Sequence, residues 1–265
     1  MQAGAPAIEE LVAPPGWHCI EFISDLHLQA AGDATFNAWR SYLRGTQADA
    51  VFMLGDLFEL WVGDDAAMEP GLAADCAAVL REAAQRRPHF FMHGNRDFLV
   101  GQHYLGSAGV QLLPDPTVLT FGDARWLLTH GDALCLSDTA YQQFRAQVRD
   151  TEWQRRFLAQ PLAQRQAVAR GLREESESRK QAGADYGDLD VPAMLDWLLA
   201  ADAPVMIHGH THRPADQALD ATHSRIVLSD WDAQAAPPRA EVLRLTLDAA
   251  GDPVCWSRLA PAQAC

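Results

Sequence analysis

The chain has 265 residues, a formal net charge of -14 and 48% hydrophobic residues. This composition suits one large domain, or one domain with an inserted cap, and it allows a sizeable core. The acidic balance disfavours general binding to nucleic acid, and no apolar run reaches the roughly 18 residues of a transmembrane helix.

The cysteines and the N-terminal residues indicate where the protein works. The five cysteines are scattered and form no C-x-x-C pair, which is typical of a reducing cytoplasm. Residues 1–15 contain no basic segment followed by a long apolar one, so export is not expected. We expect residues 1–15 to form a disordered leader.

Short apolar runs alternate with helical patterns in the first half of the chain. We predict strands at residues 17–24, 50–54 and 89–93, and helices at residues 34–43 and 71–87. Pro88 ends the second helix and opens the third strand. The β-loop-α order predicts an α/β layered fold.

A hairpin and a long helical segment follow. The Gly122-Asp123 turn separates apolar runs at 118–121 and 125–129. From Asp138 to about residue 181 the pattern is helical, with Asp138 as N-cap and Pro161 as a divider. We therefore predict a helical cap at residues 138–184, inserted into a core formed by residues 16–137 and 185–265.

The last part of the chain returns to strands. We predict a helix at residues 192–200, strands at 204–207, 225–228, 240–247 and 254–259, and a turn at 250–253.

Side chains able to bind metals follow the predicted strands. Asp25 and His27 are two residues apart, so on an extended strand end they share one side and can share one ion. Asp56 follows a strand and a glycine, and a carboxylate there can bridge two ions about 3.5 to 4 Å apart. Further amide and imidazole ligands are offered by Asn95, His130, His208 and His210. Such donors, brought from separate strand ends to one sheet edge, indicate a two-metal hydrolytic site.

Each of these residues alone has an ordinary structural explanation. Asp25 could cap a helix, and Asp56 and Asn95 could be turn residues. His130 could be a hydrogen-bonded structural histidine. Their occurrence together, in order and each after an apolar run, favours the metal site.

Three neighbouring residues stay outside the predicted ligand set. Asp97 either orients His130 or another ligand, or caps the following helix. Asp132 and His212 carry a similar ambiguity, and we do not count them as ligands.

The ordered motifs resemble those of the calcineurin-like metallophosphoesterase superfamily. They are Asp25-Leu26-His27, Gly55-Asp56, Gly94-Asn95-Arg96-Asp97, His130 and His208-Gly209-His210. The resemblance covers about residues 17–232 and implies a four-layer α/β/β/α sandwich with a dinuclear site. By matching positions, it assigns Asp25, His27 and His210 to one ion, Asn95, His130 and His208 to the other, and Asp56 to both.

Arg96 stands where most members of that superfamily have histidine. A guanidinium stays protonated, with a pKa above about 12, so it can bind phosphoryl oxygens but cannot act as a general acid. The leaving group must therefore need little protonation. This points to a phosphate leaving group and hence to a pyrophosphate bond.

This variant resembles, more narrowly, the family of UDP-2,3-diacylglucosamine diphosphatases. The segments that carry the resemblance are residues 94–99, 130–135 and 141–145. The family implies a hydrolase of lipid A biosynthesis that uses two Mn²⁺ ions per chain. It would split UDP-2,3-diacylglucosamine into UMP and 2,3-diacylglucosamine 1-phosphate (lipid X), with metal-activated water attacking the alpha phosphorus. The catalytic residues would be Asp56, Arg96 and His130.

The same resemblance implies residues that contact the substrate. They are Asn95, Arg96 and His208 on the core, and Asp138, Ser176 and Lys180 on the cap. Tyr141 and Gly183 are further candidates. Lys180 stands where asparagine is commoner and Gly183 where lysine is expected, so the cap departs from the family pattern.

The predicted cap is basic within an acidic chain. Seven arginines lie between residues 141 and 173, against two acidic residues. Trp153, Phe157, Leu158 and Leu162 recur at roughly helical spacing, as on a surface that meets acyl chains and anionic headgroups. The alternative is an apolar stripe that packs on the main domain, and we expect a mixture of the two.

These features predict a monomer attached peripherally to the cytoplasmic side of the bacterial inner membrane. Two other functions stay open. The first is a soluble nucleotide-sugar pyrophosphatase or phosphodiesterase of the same superfamily, against which the basic helical insertion argues. The second is a metal-dependent binding or scaffold protein, for which a missing ligand is expected, and none is missing here.

Overall fold

Two six-stranded sheets form the centre of the computed structural model, which describes residues 6–181, 187–248 and 253–265, with side chains for 6–172, 187–248 and 255–265. In chain order, the strands are β1 (Glu9–Val12), β2 (Cys19–Ile23), β3 (Ala50–Leu54), β4 (His89–Met92), β5 (Val110–Leu113), β6 (Thr117–Phe121), β7 (Ala124–Thr129), β8 (Val205–His208), β9 (Ala215–Ala218), β10 (Ser224–Val227), β11 (Val242–Leu247) and β12 (Pro253–Leu259). The helices are α1 (Ala34–Gly45), α2 (Leu72–Ala84), α3 (Gln102–Ala108), α4 (Thr139–Val148), α5 (Thr151–Leu158), α6 (Leu162–Gln181) and α7 (Val191–Ala201). Short 3-10 helices span Asp64–Met68, Asp132–Leu134 and Pro261–Gln263.

The connections bring several strand ends to one edge. The first sheet has the order β12-β11-β2-β3-β4-β5, and β2 to β5 are parallel. Helices α1, α2 and α3 are the crossovers that parallel neighbours require. The second sheet has the order β1-β6-β7-β8-β10-β9, in which β7 and β8 are parallel neighbours. Loops that leave β2, β3, β4, β7 and β8 can therefore meet.

Strand β3 shows why the fold has separate core layers. Side chains alternate along a strand, and β3 is buried throughout. Val51 and Met53 join the core under α1 to α3, whereas Phe52 and Leu54 join the core between the sheets. Phe52 stacks on Phe22 with ring centroids 5.0 Å apart, which ties β3 to β2 inside that second core.

Helices cover the outer face of each sheet. On the first sheet, Trp39 of α1 and Leu80 of α2 belong to the outer core. On the second sheet, Met194 and Leu198 of α7 belong to a third core, which also contains Met206 of β8. The layers therefore follow the order α/β/β/α, which confirms the predicted fold class. None of the helices in the described ranges is long and apolar enough to cross a bilayer.

The segment predicted as a cap consists of α4, α5 and α6. Asp138 is the N-cap of α4, since its side chain accepts a hydrogen bond from the backbone N–H of Tyr141. The divider at Pro161 is confirmed, but a further break occurs at Asp150, which caps α5. Sequence periodicity did not reveal this break, because helical patterns continue on both sides of Asp150.

The cap packs on the main domain through selected residues. Trp153 and Phe157 pack against the core under α1 to α3. Arg165 is buried and donates hydrogen bonds to the backbone carbonyl of Val62 and to the carboxylate of Asp65. Part of the apolar stripe therefore faces the main domain.

The basic surface of the cap is smaller than the arginine count indicates. Arg145 Nε donates to the buried Asp132 carboxylate at 2.8 Å, and Arg149 donates to the backbone carbonyl of Gly94 at 3.0 Å. With Arg165, three of the seven arginines are thus engaged inward. Exposed apolar residues remain on the cap: Leu158, Val168 and Leu172 are 40%, 45% and 40% exposed.

The predicted leader turns out differently. Residues 9–12, which we placed in a disordered leader, form β1, and this strand pairs with β6 through Glu9 opposite Thr117. The leader prediction is wrong there because backbone pairing at a sheet edge leaves little trace in side-chain pattern. The predicted hairpin at 118–129 is confirmed as antiparallel β6 and β7. The turn at 250–253 lies mostly outside the described residues.

Candidate metal centre

The candidate ligands lie in loops that leave β2, β3, β4, β7 and β8, and these loops bind one another. The backbone N–H of Asp25 donates to Gly55 O at 3.1 Å, and that of His27 donates to Asp56 O at 3.0 Å. The N–H of Gly209 donates to His130 O at 3.1 Å, which links the two loops of the second sheet. Backbone hydrogen bonds therefore fix the loops before any ligand binds.

Backbone conformation sets these loops apart. Six non-glycine residues in the described ranges have a positive φ, and five of them are Asp25, His27, Asp56, His210 and His212. Their φ angles lie between 47° and 69°, in the left-handed region that L-residues rarely adopt. Each such residue costs about 1 to 3 kcal/mol, and this strain concentrates at functional sites.

Asp25, His27 and His212 form a first cluster. His27 Nε2 lies 3.9 Å from Asp25 Oδ1 and 3.1 Å from His212 Nε2, and His212 Nε2 lies 3.3 Å from Asp25 Oδ1. Asp25 Oδ2 accepts hydrogen bonds from the Ser24 hydroxyl and from the His210 backbone N–H. Asp25 Oδ1 is buried with no hydrogen-bond partner among the described residues. A carboxylate oxygen orphaned beside two imidazole nitrogens fits a divalent cation.

Asp56 lies between two clusters. Its Oδ2 atom is 3.8 Å from His27 Nε2 and also 3.8 Å from His130 Nε2. Its Oδ1 atom accepts the backbone N–H of Arg96 at 2.8 Å. A Cβ atom at Gly94 would collide with this carboxylate, so only glycine allows the approach. Asp56 is therefore held from one side and presents its other oxygen to both clusters.

Asn95, His130 and His210 form the second cluster. His130 Nδ1 lies 2.9 Å from Leu54 O, to which an N–H there can donate, and this leaves the Nε2 lone pair directed at the site. His130 Nε2 lies 3.0 Å from Asn95 Oδ1, and His210 Nδ1 lies 2.9 Å from the same oxygen. Two nitrogens and an amide oxygen again form a set of donors that suits a cation.

Carboxylates and imidazoles in this centre shift one another's pKa values. Burial raises the pKa of Asp25, but the neighbouring histidines, chiefly His212, hold it well below its usual range. Burial alone would lower the pKa of His130, but the charges of Asp56, Asp25 and Asp132 raise it to about 9. A cation bound between these groups would take the place of those protons.

His208 takes no part in the short contacts described for the two clusters, and its Nε2 atom is buried with no hydrogen-bond partner among the described residues. Its side chain is buried at the end of β8, with Nδ1 2.8 Å from Gly209 O, and burial lowers its pKa to about 4. His210 lies beside Asn95, and His212, which we had left out, lies beside His27 in the first cluster. His208 therefore stays a predicted ligand, and His212 is an additional candidate that sequence reasoning left out.

Asp97 orients ligand loops through their backbone and not through a histidine side chain. Its carboxylate accepts backbone N–H groups of Asp56, Leu57, Phe58 and Gly94. It therefore holds the backbone of the loops that carry Asp56 and Asn95, and it neither bonds a histidine side chain nor caps a helix. Four donors satisfy a carboxylate that is fully buried.

The cap reaches the second cluster through α4. The Tyr141 ring stacks on the His210 ring with centroids 6.1 Å apart. The Tyr141 hydroxyl donates to Asp132 Oδ2 at 2.6 Å, so Asp132 anchors the cap. The predicted cap contacts Ser176, Lys180 and Gly183 lie outside the part of the structure in which side chains are described.

Comparison with known proteins agrees with this geometry. Residues 20–214 match the family described as calcineurin-like phosphoesterase. The chain belongs to the calcineurin-like phosphoesterase family. The match spans all the loops that carry the two clusters.

Two relatives within the calcineurin-like phosphoesterase family carry the same name. A protein of Chromobacterium violaceum named UDP-2,3-diacylglucosamine hydrolase is 47% identical over 221 residues, which cover 80% of this chain and 90% of the relative. A protein of that name from Xanthomonas axonopodis pv. citri is 47% identical over 246 residues, which cover 86% of this chain and 96% of the relative. Among solved structures, a single mutant of Vps29 from Entamoeba histolytica matches with a TM-score of 0.44 and 14% identity, covering 91% of this chain and 98% of that one.

Proposed function

We propose that this chain hydrolyses the pyrophosphate bond of UDP-2,3-diacylglucosamine to give UMP and 2,3-diacylglucosamine 1-phosphate (lipid X), in lipid A biosynthesis. The observation that most directly supports this proposal is the position of Asp56 Oδ2, which lies 3.8 Å from an imidazole nitrogen of each cluster. A carboxylate placed between two sets of ligands is what a dinuclear hydrolytic site needs. The substrate is supported by the relatives at 47% identity that are named for it.

The proposed ligand sets follow the two clusters. Asp25, His27 and His212 hold one ion, Asn95, His130 and His210 hold the other, and Asp56 reaches both. Mixed oxygen and imidazole donors suit manganese, and we propose two Mn²⁺ ions per chain. When bound, such ions supply a water-derived nucleophile at neutral pH and neutralise charge on the diphosphate.

Arg96 is proposed to bind the substrate. Its side chain is 17% exposed, its backbone N–H donates to Asp56, and its guanidinium lies 3.8 Å from Glu59 in the loop that carries Asp56. A guanidinium can bind two phosphoryl oxygens with parallel hydrogen bonds, but it cannot give up a proton. Cleavage therefore depends on a leaving group that departs without protonation, and a sugar 1-phosphate meets this condition.

The cap is proposed to face the acyl chains. Leu158, Val168 and Leu172 expose apolar surface on α5 and α6, which a small polar nucleotide sugar does not need. We propose that this surface, with the outward arginines, attaches a monomer peripherally to the cytoplasmic side of the inner membrane. Sedimentation with anionic vesicles at low and high salt tests this attachment. A sedimented fraction that changes with neither the vesicles nor the salt concentration contradicts it.

The deciding experiment measures UMP release from UDP-2,3-diacylglucosamine. Protein stripped with a chelator should be inactive, and Mn²⁺ should restore activity. UDP-glucose is the matched substrate without acyl chains, and we expect it to react at least about 100-fold more slowly at equal concentration. Equal rates on both substrates would favour a soluble nucleotide-sugar pyrophosphatase, and no release of UMP with Mn²⁺ would refute the proposed reaction.

A further inference from the structure

Glu59 connects the first cluster to Arg96. It follows β3 in the loop that carries Asp56, and its side chain is 12% exposed. One carboxylate oxygen, Oε2, lies 3.1 Å from His27 Nδ1, and the other, Oε1, lies 3.8 Å from Arg96 Nη1. The sequence offered no sign of this contact, because Glu59 lies outside the ligand motifs.

We propose that Glu59 is a positioning residue that serves the metal centre and Arg96 together. This inference rests on the proposed function, since it assumes that His27 holds an ion. Glu59 Oε2 lies 3.1 Å from His27 Nδ1, and its negative charge there favours the tautomer that carries the proton on Nδ1. The lone pair on Nε2 then points at Asp25 Oδ1 and Asp56 Oδ2, where the ion binds.

Comparison with His130 shows that this support is specific. His130 also presents Nε2 to the site, but its Nδ1 is held by a backbone carbonyl, Leu54 O at 2.9 Å. His27 depends on a side chain for the same purpose. A substitution can therefore remove the support of His27 while leaving that of His130 unchanged. Carboxylates that hold a metal-binding histidine in this way change metal affinity by about 10- to 100-fold.

The contact with Arg96 is looser. A separation of 3.8 Å between partly exposed groups gives a weak ion pair, so it limits where the guanidinium lies without locking it. A guanidinium carries five N–H donors, so one loose ion pair leaves others for phosphoryl oxygens. The two contacts therefore predict a large effect of Glu59 on one ion and a smaller effect on substrate binding.

Two substitutions separate these contacts. Glu59→Ala removes both acceptors. Glu59→Gln keeps one oxygen that can accept the His27 N–H, but it places an amide that cannot pair with Arg96. Glu82→Gln is the control, because Glu82 forms an exposed ion pair with Arg44 at 2.8 Å on the outer helices.

The test is titration of the metal-free protein with Mn²⁺, in which electron paramagnetic resonance counts the unbound ion. For Glu59→Ala we expect one of the two binding steps to weaken about 10- to 100-fold, and for Glu59→Gln a change within about threefold. KM for the diphosphate substrate should rise about threefold in Glu59→Gln, whose metal sites are filled.

Two outcomes overturn the proposal. The first is wild-type Mn²⁺ affinity in Glu59→Ala. The second is a loss of Mn²⁺ affinity in Glu59→Gln that equals the loss in Glu59→Ala. Circular dichroism checks that each variant is folded.

Reference variants separate this proposal from the proposed function. His212→Ala should abolish the step that Glu59→Ala weakens, and Asn95→Ala should abolish the other step. If neither reference variant changes Mn²⁺ binding, the dinuclear centre itself is wrong. If both behave as expected and Glu59→Ala weakens the step that depends on Asn95, only the role of Glu59 is wrong.

Discussion

His212 Nε2 lies 3.3 Å from Asp25 Oδ1, inside the first cluster of ligand atoms. His208 instead contacts the backbone carbonyl of Gly209. We therefore expect His212→Ala to lose one bound Mn²⁺ and at least about 100-fold in activity. His208→Asn should keep two ions per chain. Metal analysis after dialysis checks both, and loss of an ion from His208→Asn alone would restore the assignment made from the sequence.

Asp56→Asn should remove turnover without unfolding the protein. The amide presents only one oxygen and no charge between the two clusters, so both ions lose a ligand. In metal-free protein, loss of this carboxylate removes a charge that stabilises protonated His130, so the urea midpoint should fall although the variant stays folded. Activity and urea unfolding are measured on the same sample, and an active Asp56→Asn enzyme contradicts the bridging role.

Arg96→Lys should not rescue Arg96→Ala. Both variants should bind two Mn²⁺ ions, because the side chain of Arg96 lies outside both clusters and only its backbone N–H bonds Asp56. Activity should fall by about 100-fold or more in each, since an ammonium cannot match two phosphoryl oxygens as a planar guanidinium does. Full activity in Arg96→Lys would show that charge alone is sufficient.

Metal affinity should rise with pH. Nearby carboxylates raise the pKa of His130 to about 9 despite burial, so in metal-free protein at pH 7 this imidazole carries a proton. A cation must displace that proton to reach Nε2, and below pH 9 the apparent affinity should increase up to about tenfold per pH unit. Mn²⁺ titrations at pH 6, 7 and 8 measure the slope, and an affinity that does not change with pH refutes the coupling.

Arg165→Ala should loosen the cap. Its loss leaves the buried carbonyl of Val62 without this donor, and we expect a decrease of about 1 to 3 kcal/mol in the free energy of unfolding. Arg155 is the matched control, because it is exposed and pairs only within its own helix with Glu152. Urea unfolding compares the two, and equal midpoints would show that Arg165 does not anchor the cap.

The strands and the site loops were predictable to different degrees. Strand β3 was found because an apolar run buried on both faces needs no tertiary information. Strand β1 was missed because its four residues are largely exposed and are held in the sheet by backbone pairing with β6. Asp25 and His27 do lie together as expected, but for a different reason: both have left-handed backbone, so the rule for extended strands does not apply.

The same conformational effect applies to the histidines after β8. His210 and His212 have φ angles of 69° and 55°, in the left-handed region. Side-chain spacing along a strand cannot predict where such residues point. Glu59 was missed for a simpler reason, since its contact with His27 depends on how the loops after β2 and β3 fold together.

The stacking of Tyr141 on His210 has an evolutionary consequence. A helix that touches the metal loops is not an interchangeable module. Grafting the cap of a distant homologue onto this sandwich would exchange Tyr141 and the Arg149 contact with Gly94 together with the exposed apolar residues of α5 and α6. Under the proposed function, changes of lipid specificity should therefore be confined to α5 and α6, while the inner face of α4 stays under the constraint of the metal loops.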